Sequence, residues 1–272
     1  MWKNKPLTMS FSTPRISVWI PCRSGSTGVK HKNVRPLNGH PLMAWSIATA
    51  VALKRLGRVQ DVVVVTDSEE YAGVARSYGA RCPVLRPASV SGVHSGDHEW
   101  FAWFAGWQRE HEPALAPEFV VHLRATSPVT DPAEVLSCLR HYLPLRRSYD
   151  SLRTVSLYEG QSPYKFYNLE DRAGGEQALR PLHPRVGSTE EVYNAARQKL
   201  PAVYLDNGRV NIIKVEAALA QGSISGTRML AHVTAGAHTD IDDEAEFAQA
   251  EREVAGRGAT VPPYQLHPDA AQ

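Results

Sequence analysis

Two stretches far apart in the chain carry side chains that could do chemistry. The first is R-S-G-S-T-G-V-K-H-K-N, residues 23–33. Gly25 and Gly28 allow close backbone approach, so amide N–H groups can point at phosphate oxygens. Arg23, Lys30 and Lys32 add charge-assisted donors to the same loop. No Gly-Lys-Ser/Thr follows at the spacing of a P-loop, and the glycines miss the dinucleotide G-x-G-x-x-G fingerprint. A solvated basic turn would have the same composition. The second stretch is T-D-I-D-D-E, residues 239–244. In an extended segment Asp240 and Asp242 point to one face and Ile241 to the other. Two hard oxygen ligands on one face, beside phosphates, suit Mg²⁺, or Mn²⁺ in its place, with the remaining positions filled by water and phosphate. Alternatively, Asp242 N-caps the helix that follows, with Asp243 and Glu244 feeding its dipole.

The elements that must position these groups follow from periodicity. Ile16–Pro21 reads as a buried strand, which puts the glycine-basic loop at its carboxyl end, the usual ligand site of an open parallel sheet. Pro41–Leu56 reads as a helix, with Leu42, Trp45, Ala48, Leu53 and Leu56 at helical spacing. Asp61–Thr66 (DVVVVT) is a β-branched run suited to a strand covered on both faces. Asp67 is expected to cap a helix through Ser77, and a second helix from about Gly96 to Glu110 carries a core stripe of Trp100, Phe101, Phe104 and Trp107. A strand at Phe119–Leu123, a helix at Asp131–Tyr142 and a strand at Ser151–Leu157 follow. This alternation predicts an α/β fold, a three-layer α/β/α sandwich with a mainly parallel sheet. Residues 160–202 break the rhythm and read as an insertion. Strands at Arg209–Lys214 and Met229–Val233 and a helix over Asp243–Val254 complete a single domain at 15–256, between an N-terminal extension, 1–14, and a tail, 257–272.

Composition narrows the classes. A net charge of +2 on 272 residues gives no general attraction to nucleic acid or an anionic membrane, so any cationic function is local. Three cysteines (Cys22, Cys82 and Cys138) without a C-x-x-C pair argue against a disulfide framework and a zinc site, and fit a reducing cytoplasm. No stretch approaches the roughly 20 apolar residues that span a bilayer, and the N-terminus lacks the apolar core of a signal peptide. A soluble, cytoplasmic protein is expected. The eleven histidines form no ligand spacing, and His31 reads as an exposed loop residue.

The words around these residues carry a resemblance. IPCRSGSTGVKHKNVRPLNGHPLMAWSI, VVVTDSEEYAGVARSYGA with VLRPA, LRATSP, ARQKLPAVYLDNGRVNII and TDIDDEAEFAQAE occur in that order over roughly residues 15–252. Together they resemble the CMP-acylneuraminate synthetase family, cytidylyltransferases that activate sialic-acid-like keto sugars on a nucleotide-diphospho-sugar transferase-like fold. The resemblance implies that CTP and a 2-keto sugar acid give the CMP-sugar and pyrophosphate. It places Arg23, Ser24, Gly25, Ser26, Gly28, Lys32, Asn33 and Arg86 at the nucleotide, with Arg23, Lys32 and Asp242 catalytic and Asp240 and Asp242 on the metal. It places Arg124, Thr126, Ser127, Lys165, Arg197, Gln198 and Asn207 at the acceptor, and makes 160–202 the dimerisation segment of a homodimer. Read as residues alone, Arg86 could be a surface arginine, and Lys165 and Asn207 exposed loop residues.

Three departures bear on the acceptor and the nucleotide. Thr27 stands where the family has a lysine, and Lys30 is the candidate replacement. Arg124-Ala125-Thr126-Ser127-Pro128 stands where sialic-acid-specific members read Q-P-T-S-P, and Val93–Asp97 alters an acidic stretch. These keep open a different acceptor, such as a 3-deoxy-octulosonate, a phosphonate or an unusual sugar acid of a secondary-metabolite pathway, and a different nucleotide.

Overall fold

The predicted alternation of strands and helices is realised in a computed structural model, which describes residues 14–25, 28–187, 189–235 and 240–256. The expected N-terminal extension up to residue 13, the tail from 257, and Ser26 and Thr27 lie outside the described residues. Strand β1 (Ile16–Pro21) leads to a hairpin of β2 (Pro36–Leu37) and β3 (His40–Pro41). Asn38 and Gly39 turn that hairpin at φ 47° and 83°, the left-handed pair that tight hairpins favour. Helix α1 (Leu42–Arg55), β4 (Asp61–Val65), α2 (Glu69–Ser77), α3 (Asp97–His111), β5 (Phe119–His122), α4 (Pro132–Leu145) and β6 (Ser151–Leu157) follow. Then come two small hairpins, β7 (Tyr167–Asp171) with β8 (Gln177–Pro181) and β9 (Arg185–Val186) with β10 (Thr189–Glu190). The chain continues through β11 (Tyr204–Lys214), α5 (Val215–Gln221), β12 (Met229–Val233) and α6 (Glu244–Gly256).

Six strands form the central sheet in the order β12-β6-β11-β5-β1-β4. β1 pairs in parallel with β4 on one side and with β5 on the other, while β11 runs antiparallel to β5. The chain therefore leaves β1 for one neighbour and later returns to the opposite one. That reversal opens a crevice at the carboxyl ends of β1 and β5, where doubly wound sheets bind ligands.

Strict alternation along the strands fills both faces. Val18, Ile20, Val62, Val64, Val121 and Ile212 join the core beneath α1, α2 and α4, whereas Trp19, Val63, Val65, Val120 and Ile213 pack under α3 and α5. The aromatic stripe of α3 is core, with Trp100, Phe101 and Phe104 buried. A third cluster of Val29, Leu37, Leu42, Trp45, Val129, Ile241, Phe247, Ala250 and Val254 seats α6 against the loop after β1.

Two compact units divide the chain. The larger holds the sheet up to Thr154 and from Gly208 onward; the smaller holds Val155–Asn207 with the return at 233–235. Residues 160–202 lack periodicity because the β7–β8 hairpin is exposed along most of both strands. Among the described residues no helix is long and apolar enough to cross a membrane.

Candidate active site

The loop after β1 is held at both ends by side chains. Cys22 extends the strand by donating to the Val65 carbonyl at 3.0 Å, and the buried Asn33 donates from Nδ2 to the Arg23 carbonyl at 3.1 Å. Ser24 donates from its backbone N–H and its hydroxyl to the two oxygens of Asp67, at 2.7 and 3.0 Å. The expected cap of α2 is corrected here: Ser68 fills that place, its Oγ accepting from the Tyr71 N–H at 3.3 Å, because Asp67 is committed to the loop.

The other end of the chain reaches the same loop. Lys32 donates from Nζ to the Ile241 carbonyl and pairs with Asp242 at 3.0 Å, across 210 residues of sequence. Arg35 meets Glu244 at 2.7 Å and lies 4.1 Å over the Phe247 ring. A Cβ on Gly28 would collide with the Asp242 carbonyl, so that glycine is required by the approach of the distant segment. Gly25 has no such constraint; the atom nearest a Cβ there is Arg23 Nη1 at 3.7 Å.

The acidic segment is anchored from below. Ile241 is fully buried and its N–H donates to the Thr126 carbonyl at 3.0 Å, which ties the segment to the turn after β5. Asp240 and Asp242 are thereby turned away from the core. The capping role belongs to Asp243, which accepts from the Glu246 N–H at 2.9 Å while Glu246 accepts from the N–H groups of Asp242 and Asp243. This reciprocal cap leaves the Asp242 side chain out of helix initiation.

Pro21, Arg23, Gly28, Lys32, Asn33, Arg86, Arg124, Thr126 and Asp242 converge on a cleft of about 520 Å³, together with Ser95, Asp97, Trp100, His122 and Ala125. That volume lies within the usual range for small-molecule sites. Arg86 is not a surface residue: only 5% exposed, it donates to the Val90 carbonyl and stands 6.0 Å over the Trp100 ring. Burial, aided by Arg23, pulls its guanidinium below the usual range against Asp67, Asp97 and Glu99. Arg124 bridges two carboxylates, Asp240 at 3.2 Å and Asp97 at 3.9 Å. Ser127 is buried and donates to the Gly208 carbonyl at 3.4 Å, so it braces the turn after β5. Lys30 is exposed and is not among the residues lining the cleft.

Asp97, Trp100 and His122 were missed by reading the sequence for function. Trp100 donates from its indole N–H to Asp97 at 3.2 Å, and the His122 ring stands edge-on to Trp100 at 5.6 Å. Burial opposes ionisation of Asp97, but His122, Trp100, Arg124 and Arg153 outweigh it and hold the carboxyl below its usual range. The available signal was His122 itself, which shares its face with Val120 at the end of an otherwise apolar strand.

The donor set can accommodate a hard divalent cation. Asp240 Oδ1 is buried with no hydrogen-bond partner among the described residues, and Asp242 presents an accessible carboxylate. No cluster of three or more His, Cys, Asp or Glu side chains accompanies them among the described residues, so the remaining ligands would be phosphate and water.

In the smaller unit, Lys165 is exposed at the end of a short 3₁₀ turn. Arg197 donates to the carbonyls of Glu159 and Gly160 at 2.9 and 3.2 Å, with Gln198 exposed beside it. Asn207 is not an exposed loop residue; it is buried and donates to Thr234 Oγ1 at 2.8 Å.

The profile of the cytidylyltransferase family matches residues 18–170, which include the loop, Arg86 and the turn after β5. The chain belongs to the cytidylyltransferase family. It is 28% identical over 237 residues to the N-acylneuraminate cytidylyltransferase of Escherichia coli O18:K1:H7, covering 86% of this chain and 50% of that one. It is 43% identical over 77 residues, 28% of this chain and 32% of the relative, to the CMP-N,N'-diacetyllegionaminic acid synthase of Legionella pneumophila. The Campylobacter coli post-translational flagellin modification protein B is 25% identical, covering 84% of this chain and 90% of that protein. The chain spans about half the length of several curated relatives it matches, including the E. coli protein. Among solved structures, CMP:2-keto-3-deoxy-manno-octonic acid synthetase complexed with CTP is similar in fold, with a TM-score of 0.57 at 12% identity over 89% of this chain and 99% of that one.

Proposed function

We propose that this chain transfers CMP from CTP to the anomeric hydroxyl of a sialic-acid-like 2-keto sugar acid, releasing pyrophosphate. The observation that carries the reading is the contact of Lys32 with Asp242, which closes a phosphate-type loop onto paired aspartates at the switch point of the sheet. Family membership and relatives named for acylneuraminate and diacetyllegionaminate activation support the same nucleotide and acceptor class.

The acceptor's anomeric oxygen attacks the α-phosphorus as the bond to the β-phosphate oxygen breaks, so charge accumulates on the departing pyrophosphate. Arg23 and Lys32 are placed to neutralise that charge, and Arg86, rigid and partly desolvated, to orient the nucleotide. Asp240 and Asp242 would hold Mg²⁺, or Mn²⁺ in its place, which when bound adds Lewis-acid stabilisation of the phosphoryl oxygens. Arg124 and Thr126 in the cleft, with Ser127 bracing their turn, are the proposed acceptor residues of the larger unit; Lys165, Arg197, Gln198 and Asn207 are those the sequence proposes in the smaller unit. A fixed guanidinium fork suits the carboxylate that every 2-keto acid carries.

A homodimer belongs to this reading. The smaller unit displays Leu169 and Leu179, cross-strand neighbours 64% and 65% exposed, in a way that a second copy could cover. A cytoplasmic location fits three cysteines that are all free. The second reading keeps CTP and changes the acid, and Arg124 in the cleft is the observation that favours it.

Pyrophosphate release from each of the four nucleoside triphosphates, paired in turn with N-acetylneuraminate, a legionaminate and 3-deoxy-octulosonate, tests both readings. Turnover with CTP and a nonulosonate is expected. Turnover with GTP and none with CTP would reject the proposal.

A further inference from the structure

Arg124 poses a problem for the cation site just described. Its Nη1 lies 3.2 Å from Asp240 Oδ2, so a guanidinium already neutralises one of the two carboxylates that would hold the metal. The other guanidinium nitrogen faces Asp97 at 3.9 Å. Asp97 is itself fixed, since one of its oxygens accepts from the buried Trp100 indole at 3.2 Å. Gly208, at φ 64°, leaves room for the pair: a Cβ there would meet Asp240 Oδ2 at 3.2 Å and Arg124 Nη1 at 3.3 Å. One arginine thus spans two carboxylates, Asp97 in the cleft and Asp240, and only Asp240 belongs to the metal pair.

We propose that Arg124 competes with the divalent cation for Asp240, and that Asp97 is the positioning residue that draws Arg124 away and so sets the affinity of the site. This deepens the function proposed above and rests on its cation reading. A carboxylate in a polyanion cleft repels the phosphates it must admit, a cost that Asp97 carries beyond its place in the first turn of α3 and its attraction of Arg86. Its position is explained if its task is to stabilise Arg124 once Asp240 has been surrendered. Asp240 Oδ1, buried without a partner among the described residues, is the acceptor left for the incoming ion.

The test is Mn²⁺ binding to the nucleotide-free full-length chain, read from the electron paramagnetic resonance signal of free Mn²⁺. Arg124→Gln removes the competitor and is expected to tighten binding. Asp97→Asn leaves Arg124 only Asp240 and is expected to weaken binding by about three- to fivefold, the worth of a partly screened ion pair. Asp97→Glu should restore most of that loss. In the Arg124→Gln background Asp97→Asn should have no further effect, because it acts through the arginine. Unchanged or weaker binding by Arg124→Gln overturns the proposal. So does an Asp97→Asn loss that persists undiminished in the double variant, which would mean a direct field effect, and so does an absence of Mn²⁺ binding in every variant. Unfolding midpoints check that each variant is folded. Pyrophosphate release by the unmodified chain is measured on the same preparation, so absent CMP transfer refutes the function while the titration still decides the role of Arg124.

Discussion

Replacing Gly28 with alanine would place a methyl group against the Asp242 carbonyl, which already fills the space a Cβ would need. Gly28 is not among the glycines with positive φ, so the backbone itself accepts alanine and the collision is the only objection. Relief requires the loop and the 241–243 segment to part by roughly 1–2 Å, the difference between overlap and ordinary contact. That separation would break the hold of Lys32 on the Ile241 carbonyl and on Asp242, misplacing a phosphate cation relative to the aspartates. A displacement of about 1 Å in a positioning site costs ~10²-fold in rate, and that loss is expected in kcat/KM for pyrophosphate release. The fold should lose no more than about 1–3 kcal/mol, the usual cost of local overpacking. Gly25→Ala is the control: its nearest neighbour at 3.7 Å is in ordinary contact, so activity should stay within a factor of about three. If the two glycines need only flexibility for the phosphates, both variants will suffer alike. Equal losses, or a Gly28→Ala variant as active as the parent, would refute the reasoning.

Two other outcomes follow from adjacent geometry. Asp243→Ala should destabilise the fold by about 0.5–2 kcal/mol in chemical denaturation through loss of the cap, while Asp242→Ala should leave stability within about 0.5 kcal/mol and remove most transfer activity. A reversal of that pattern would make Asp242 structural. Asp150 is buried and held by the Arg228 guanidinium at 2.7 Å and by the N–H groups of Thr227 and Arg228. Arg228 first, and Gln221 with it, hold its carboxyl well below the usual carboxylate range against burial. The stabilisation it gives is complete above the unfolded carboxylate pKa, near 4, and is lost as pH falls through the depressed folded value. Asp150→Asn should therefore cost about 2–3 kcal/mol at neutral pH and flatten the acid limb of stability against pH; an unchanged limb would show that the pair does not form.

How much of this was legible before the structure depends on what each residue touches. Core strands such as Val62–Val65 and Phe119–His122 announce themselves because their partners are apolar on both faces, so composition alone reports burial. The phosphate-type loop and the aspartates were visible as residue types, yet nothing local says that Lys32 reaches Asp242 or that Arg35 reaches Glu244. The Asp67 cap assignment failed, and the alternative of an Asp242 cap was not realised, for a related reason. Asp67 and Ser68 are adjacent and both suitable, as are Asp242 and Asp243, and the choice falls to whichever member has no distant partner. α5 escaped because seven residues are too few for helical periodicity to stand out. Asp97 was read only as a departure from a family pattern, since its meaning lies in Arg124 and Trp100, which are distant or unremarked neighbours.

The charges of the cleft explain why a nearly neutral protein can serve a polyanion. Arg23, Lys32, Arg86 and Arg124 line it, against Asp97 and Asp242, and Arg124 pairs with Asp240. Two of these cations are already paired with carboxylates, which lowers the cost of assembling basic groups in a partly desolvated space. Arg23 and Arg86 carry the unbalanced charge, and burial first, with Arg23 adding to it, pulls the Arg86 guanidinium below its usual range. On the proposed function, an arriving triphosphate would meet that excess first and take Lys32 from Asp242, whose carboxylate would then be free to hold a divalent cation. The ion pairs within the cleft and the contacts the proposed substrate would require are thus alternative uses of the same side chains. The site needs no large net charge on the protein, only an exchange of partners within one crevice.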